Sequence, residues 1–282
     1  MGEEPTESNL VVFGYVATDP TELHRERVTA FAAALSKMAK VELAVCRARN
    51  YTEITELAMR REVDFAWLPP LPYIALSRKN AVEPLVSVVR EGHGEFYSVL
   101  VVRDDSTIKT PRDLVGTRAA WVDPHSASGY VLPRIGLSAV GVDPRTAFRE
   151  EKFYRSHEKV VRAVIDRRAD FAATYGGLEA SGSLGRGAWS AAEVSGKVSV
   201  LATFGAIPPD VIAARSDLPT YVSESITHAF THSGSEPELR ELAKELLGAT
   251  EFKRGTPEGY LDFCRATMRA SDEGLLEGEE KS

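Results

Sequence analysis

The chain has 282 residues, 43% of them hydrophobic and 27% charged, which suits one globular unit of two lobes with substantial cores. Its 41 Asp and Glu exceed its 34 Lys and Arg, a formal net charge of -7 that argues against a nucleic-acid surface, and no Lys/Arg block marks a membrane patch. No apolar run approaches the ~20 residues needed to span a bilayer, so direct membrane insertion is not expected.

The opening MGEEPTESN is polar and acidic and lacks the basic and apolar regions of a secretory signal. Two compartments follow as expectations: the cytoplasm if this is the whole chain, or the periplasm or cell envelope if a signal was removed. Residues 10–16 are a β-rich run, and residues 22–40 carry Leu23, Val28, Phe31, Leu35 and Met38 at helical spacing. A strand is expected over 41–46, a helix over 52–61 and a strand over 63–68. This alternation implies a largely parallel sheet flanked by helices, with ligands at the carboxyl ends of the strands. The long β-like segments 96–102 and 198–204 flank a second half, and two such crossings side by side make a hinge in a bilobal protein. Between them the rhythm restarts: strand 118–122, helix 128–140, helix 156–168, strand 170–174 and a Gly/Ser-rich loop over 176–187. Residues 220–269 read as helical and as packing back on the first lobe. The expected division is therefore lobe 1 over 10–102, lobe 2 over 103–200, a return to lobe 1 with C-terminal helices over 201–270, and a solvated acidic tail over 271–282.

The halves share a local likeness. Residues 60–66 (RREVDFA) resemble residues 166–172 (DRRADFA), so Asp170 falls 106 positions after Asp64. The same offset takes Tyr51 to His157, the residue before each helix, and Ile54, Ala58 and Met59 to Val160, Val164 and Ile165. Tyr51 and His157 are then expected at equivalent helix-opening positions in two similar lobes, facing a shared cleft from opposite sides.

Residues 121–133, WVDPHSASGYVLP, hold the most informative stretch, Ser126-Ala127-Ser128-Gly129. A strand, a tight Asp123-Pro124 turn and small hydroxyl residues opening a helix make an anion socket without charged side chains. The first amides of a helix lack intrahelical partners, and the helix dipole puts positive charge there. Ser hydroxyls add donors, and Gly lets an oxyanion approach the backbone. The same four residues also fit ordinary Ser capping of a surface helix. Cys46 and Cys264 read as small buried apolar residues, with a disulfide unsupported and no zinc spacing. His24, His93, His228 and His232 have no metal-ligand spacing and read as surface residues. The turn Trp67 to Pro70 reads as a rigid wall rather than a direct ligand.

In order and spacing, several segments together resemble the type II periplasmic binding proteins, specifically the phosphonate/phosphite/phosphate-binding members that feed ABC transporters. They are Tyr51 before a helix; Val63-Asp64-Phe65-Ala66-Trp67-Leu68-Pro69-Pro70 with Tyr73; Tyr97; residues 108–116 (IKTPRDLVG); Asp123 to Gly129 with Pro133; Ser156-His157-Glu158; and Ile207-Pro208-Pro209-Asp210. The resemblance implies two α/β lobes, each a mostly parallel sheet flanked by helices, joined by a two-strand hinge and closing on a tetrahedral oxyanion. Ser126, Ser128 and the amides of Ala127 and Gly129 would grip it, His157 would donate to it or carry charge against it, and Tyr51 and Tyr97 would offer phenol donors. Family members often carry Thr where this chain has Ala127, which removes one hydroxyl. The region of Tyr175-Gly176-Gly177 lacks an acidic residue for an amino group, which favours phosphate, phosphite or a small neutral phosphonate over an aminoalkyl phosphonate.

The resemblance thus implies a monomeric, non-enzymatic solute-binding protein with no cofactor and no metal, whose partners are a small oxyanion and an ABC transporter permease. A cytoplasmic ligand sensor of the same fold is the alternative. An enzyme would use Ser126 or Ser128 with His157 as nucleophile and base, but no G-x-S-x-G elbow is present and no orienting carboxylate is identifiable. An effector domain of a transcription regulator would need a separate DNA-binding partner.

Overall fold

A computed structural model describes residues 10–16, 21–90, 95–178, 184–190, 197–255 and 260–276. In chain order the elements are β1 (Leu10–Val16), α1 (Glu22–Ala39), β2 (Glu42–Ala48), α2 (Tyr51–Met59), β3 (Phe65–Leu68), α3 (Pro70–Ser77), β4 (Val82–Val89) and β5 (Phe96–Arg103). There follow β6 (Arg118–Trp121), a π-helical turn (Ala127–Val131) running straight into α4 (Leu132–Ala139), β7 (Glu150–Phe153), α5 (His157–Ile165), β8 (Phe171–Leu178), β9 (Leu184–Gly187) and β10 (Val198–Ile207). The last elements are β11 (Val211–Arg215), α6 (Thr220–Thr231), α7 (Pro237–Leu247), β12 (Glu251–Arg254) and α8 (Tyr260–Asp272). No helix among the described residues is long and apolar enough to cross a membrane.

The chain forms two compact units, unit 1 from residues 1–94 and 209–257 and unit 2 from residues 95–208 and 258–282. The divisions expected at 102/103 and 200/201 fall inside β5 and β10. Those strands pair antiparallel with each other, and β5 pairs with β8, so both belong wholly to the second sheet. The C-terminal region also departs from the expectation. It is interrupted by β12, which pairs with β4, and its last helix, α8, belongs to unit 2.

Unit 1 is a six-stranded sheet in the order β12-β4-β11-β3-β1-β2. Its core joins Phe13, Phe31 and Phe65 to Ile226, Phe230, Leu239 and Phe252 from the later helices and strand. α1 earns its place through a buried stripe, Val28, Phe31, Ala32, Leu35 and Ala39, at helical spacing. The Thr21 side chain caps its start, and Lys40 ends it in the left-handed region at φ 55°.

In unit 2 the order is β10-β5-β8-β6-β7, with β9 paired to β8. One face carries Val99, Val101, Ala120, Val122 and Ala172 against Val160, Val161, Ala163 and Val164 of α5. The other carries Trp121, Tyr130, Phe148, Phe153 and Phe171 in edge-on and tilted ring contacts. Both sheets are mixed. Parallel pairing links β1 to β2 and β3, and β6 to β7 and β8, and the remaining strands join antiparallel. β8 and β9 also occupy much of the expected loop over 176–187, whose residues 179–183 lie outside the described ones.

Candidate functional site

Parallel strands β7, β6 and β8 of unit 2 bring their carboxyl ends to one sheet edge, with Trp121 beside Phe153 and Ala120 beside Ala172. The sequence-predicted socket leaves from β6, His157 from β7, and Thr174 and Tyr175 lie farther along β8. Open α/β sheets bind ligands at this edge.

The helix expected over 128–140 starts one residue earlier and as a π-helical turn. The Val131 amide donates to the Ser126 carbonyl at 3.0 Å, and the Leu132 amide to the Ala127 carbonyl. Pro133 supplies the physical reason: it has no N–H to close the next turn. The carbonyls before it turn elsewhere. Gly129 O accepts from the Val122 amide at 3.1 Å, and Ser128 O accepts from the buried Ser98 hydroxyl at 2.8 Å. Gly129 is required by that close approach, because a Cβ there would lie 2.4 Å from Val122 Cγ2. π turns of this kind recur at functional sites.

Ser126 caps the turn, its Oγ accepting from the Gly129 amide at 3.0 Å. A hydroxyl that accepts in this way still has its own proton to donate. Among the described residues no acceptor meets the Ala127 or Ser128 amides. Ser126, Ala127, Ser128 and Gly129 are all buried. The turn thus gathers hydroxyl and amide donors where the helix dipole is positive.

Below it, Asp123 forms the loop. Its Oδ1 accepts from the His125 amide at 2.9 Å, its carbonyl accepts from the Ser126 amide at 2.9 Å, and its Oδ2 accepts from Arg155 Nη1 at 3.0 Å. Burial alone would raise the Asp123 carboxyl. The hydrogen bonds from His125 and Arg155 together outweigh it and hold the group below the usual carboxylate range.

His157 is the first residue of α5, half-buried, with Nδ1 3.0 Å from the Thr174 hydroxyl and its ring edge-on to Tyr175 at 4.9 Å between centroids. Tyr97 stands on β5 opposite Gly176. Successive strand residues face opposite sides, so Tyr97 shares the α5 face with Val99, whereas Ser98 reaches the π turn. Tyr51 opens α2 in unit 1, behind Asn50, which caps the Glu53 amide at 2.9 Å. Unit 2 therefore brings six of the seven predicted residues into one sheet and its carboxyl edge, and Tyr51 belongs to the other unit.

Sequence reasoning missed Ser98, Thr174, Asp123 and Arg155 as site residues. Only Asp123, within an Asp-Pro turn, carried a local signal. Arg134 gave none: it is fully buried against the Tyr130 and Trp121 rings, its guanidinium carbon 5.0 and 6.0 Å from their centroids, with Nε donating to Leu275 O at 2.6 Å and Nη1 to Glu151. Its Nη2 has no partner among the described residues. Tyr130 donates to Leu276 O at 3.3 Å, and burial pushes its phenol up to about 12.

Three expectations outside the socket need correction. His24 is half-buried rather than a surface residue, its ring 6.1 Å from Tyr15 and its Nε2 buried with no partner among the described residues. Cys46 and Cys264 are free thiols only half-buried, on β2 and α8. His93 and residues 277–282 of the tail lie outside the described residues, but the start of that tail is not frayed, since Leu275 and Leu276 accept hydrogen bonds. The indole of Trp67 donates to Asp210 at 3.0 Å, and Arg90 pairs with the same carboxylate.

With this geometry in view, the sequence matches the family described as ABC transporter, phosphonate, periplasmic substrate-binding protein across residues 13–260. The chain belongs to this family. Among curated relatives, it is 26% identical over 246 residues to the phosphonates-binding periplasmic protein of Escherichia coli K12, covering 86% of this chain and 71% of that one. A binding protein component of an ABC phosphonate transporter from Pseudomonas aeruginosa superposes with a TM-score of 0.80 at 20% identity, over 95% of this chain and 89% of that one. PhnD1 of Prochlorococcus marinus, solved with methylphosphonate, gives 0.76 at 18% identity, over 94% and 99%. These similarities establish the two-sheet α/β binding-protein fold. Membership makes the chain a substrate-binding component of a transporter in the periplasm or cell envelope, a role that calls for a small-molecule ligand and a permease.

Proposed function

We propose that this protein captures a small phosphorus oxyanion without an amino group, namely phosphate, phosphite or a short neutral phosphonate, and delivers it to an ABC permease. The observation that carries the reading is the π turn, where the Ser126 hydroxyl and the Ala127 and Ser128 amides face the carboxyl edge of β6 with no acceptor of their own among the described residues. Its donors suit a tetrahedral oxyanion, and their neutrality allows release as well as capture. In this reading the Thr174 hydroxyl, 3.0 Å from His157 Nδ1, donates to that nitrogen and leaves Nε2 as the donor to the oxyanion. On the same reading Gly129 and Tyr97 complete the ligand set within unit 2.

The protein works without catalysis and as a monomer. His157 Nδ1 lies beside the Thr174 hydroxyl, and Ser126 Oγ accepts from the Gly129 amide, contacts unlike the serine–histidine couple of a hydrolase. The stretch Tyr175-Gly176-Gly177 holds no acidic residue to pair with an amino group, which favours ligands lacking a cationic tail.

The test is thermal melting with phosphate, phosphite, methylphosphonate, 2-aminoethylphosphonate, sulfate and nitrate, followed by calorimetry on any ligand that shifts the transition. A true ligand at a hundred times its Kd adds ~2.7 kcal/mol, read as a rise of a few degrees. A shift confined to phosphorus oxyanions lacking the amine is expected. Preference for 2-aminoethylphosphonate, or for sulfate, would overturn the assignment.

A further inference from the structure

We propose that Arg155 is the counter-charge that lets a buried carboxylate, Asp123, shape the oxyanion loop without repelling the ligand. The inference rests on the reading of the π turn as an oxyanion socket. The loop needs Asp123 for its form: the carboxylate takes the His125 amide and the backbone carbonyl takes the Ser126 amide, which fixes the direction in which Ser126 enters the turn. Its side chain is only 6% exposed, so water does little to screen its charge. An anion held at Ser126 and Ser128 therefore meets another anion built into its own loop. Nothing in the socket's uncharged donors cancels that.

Arg155 does. Its Nη1 lies 3.0 Å from Asp123 Oδ2, and its backbone amide donates to the Val122 carbonyl at 2.8 Å, tying the turn before His157 to the loop before Ser126. The guanidinium also lies over the Phe153 ring, 5.9 Å from its centroid. Arg155 holds this place in a left-handed conformation, φ 63°, that a side chain other than Gly adopts at a cost. An arginine at a strained position, half exposed, is poorly explained by stability, since exposed pairs contribute little. It is explained by charge. The groups facing Asp123 are Arg155 from the β7–α5 turn and His125, whose Nδ1 is 3.6 Å away in the same loop. Asp123 and Arg155 together leave the loop neutral toward a ligand. Both are positioning residues.

Calorimetry with methylphosphonate on the full chain, paired with melting temperatures, tests this. Arg155→Gln should weaken binding by about tenfold or more, the scale of one unopposed charge pair, with little change in melting temperature. Arg155→Lys should keep most of the affinity. The double variant Asp123→Asn with Arg155→Gln should recover most of what Arg155→Gln lost, because it removes the repelling charge along with its partner. A double variant as weak as Arg155→Gln overturns the proposal, as does an Arg155→Lys variant equally weak at unchanged melting temperature. Were the double variant not to fold, the Lys and Gln variants decide alone. A wild-type protein that binds no phosphorus oxyanion would sink the functional reading itself, an outcome distinct from normal binding without rescue.

Discussion

The β1–β2–α2–β3 segment of unit 1 and the β6–β7–α5–β8 segment of unit 2 are one design used twice, and they diverge in the helix after the first strand. Phe13 pairs with Val45 and Phe65, and Ala119, 106 positions on, pairs with Glu151 and Phe171, each displaced by the same number. α2 and α5 run over Tyr51–Met59 and His157–Ile165 at that offset. Even the buttress repeats: Asp64 accepts from the Val12 amide at 2.7 Å and Asp170 from the Arg118 amide at 2.8 Å. What differs is the helix that follows the first strand. In unit 1 it is α1, eighteen residues of regular helix behind a Thr cap, buried along one stripe. In unit 2 it opens as a π turn whose donors are left over. The repeated strands and second helix are common to both units, and the first crossover is where they part, opening in unit 2 as the turn proposed above to hold the oxyanion.

The sharpest way to break this comparison is Arg134→Met, which strips unit 2 of a fully buried cation with no counterpart in the repeat. Removing one partner of a buried pair costs about 3–5 kcal/mol, measurable by urea unfolding, and a loss below about 1 kcal/mol would show that Glu151 and the ring stack manage without it. Next, Ser126→Ala and Ser128→Ala should each cost about 1.5–3 kcal/mol of ligand affinity, the worth of a hydrogen bond to a charged group. Unchanged affinity in both would leave the turn a mere helix cap.

The buttress sharpens the likeness instead. Asp64→Asn and Asp170→Asn should cost similar stability, about 1–2 kcal/mol, and neither should alter ligand affinity. Asp170 adds a pH signature, because the hydrogen bond from Arg118 outweighs burial and, with Arg149 nearby, holds its carboxyl below the ordinary range. A depressed folded pKa stabilises above the unfolded value and loses that contribution as pH falls through the folded one. Wild-type stability should therefore drop below about pH 4 more steeply than that of Asp170→Asn, and parallel curves would deny the linkage. The smallest effect belongs to Thr21→Ala, about 1 kcal/mol for a lost cap, visible in melting and absent from ligand titrations.

Much of this was legible in the sequence, for identifiable reasons. The shared RREVDFA and DRRADFA segments encode the end of a helix, a left-handed Arg and the buttress Asp, so the repeat could be read before any coordinates. The small hydroxyl residues around Ser126 announced a helix start with free amides, whereas the part Pro133 plays in making it a π turn emerged only from the structure. Less could be read where a distant strand or the chain end decides. The antiparallel additions β11 and β12 depend on pairings more than 120 residues away along the chain from β4, a distance over which periodicity carries no information. Arg134 sits in LPRIGLSA, which reads as an amphipathic helix with a solvated Arg, and only Glu151 and the Leu275 carbonyl explain its burial. The Arg155 turn was likewise silent, since a left-handed Arg looks like any other in sequence.

The carbonyls of Leu275 and Leu276 follow their partners Arg134 and Tyr130 by 141 and 146 residues. A ribosome must therefore deliver residues 275 and 276 before the helix behind the π turn receives its last acceptors. A chain cut before α8 would leave the buried Arg134 guanidinium and the Tyr130 phenol without these carbonyls, and a folding defect in unit 2 would follow from a cut more than a hundred residues away.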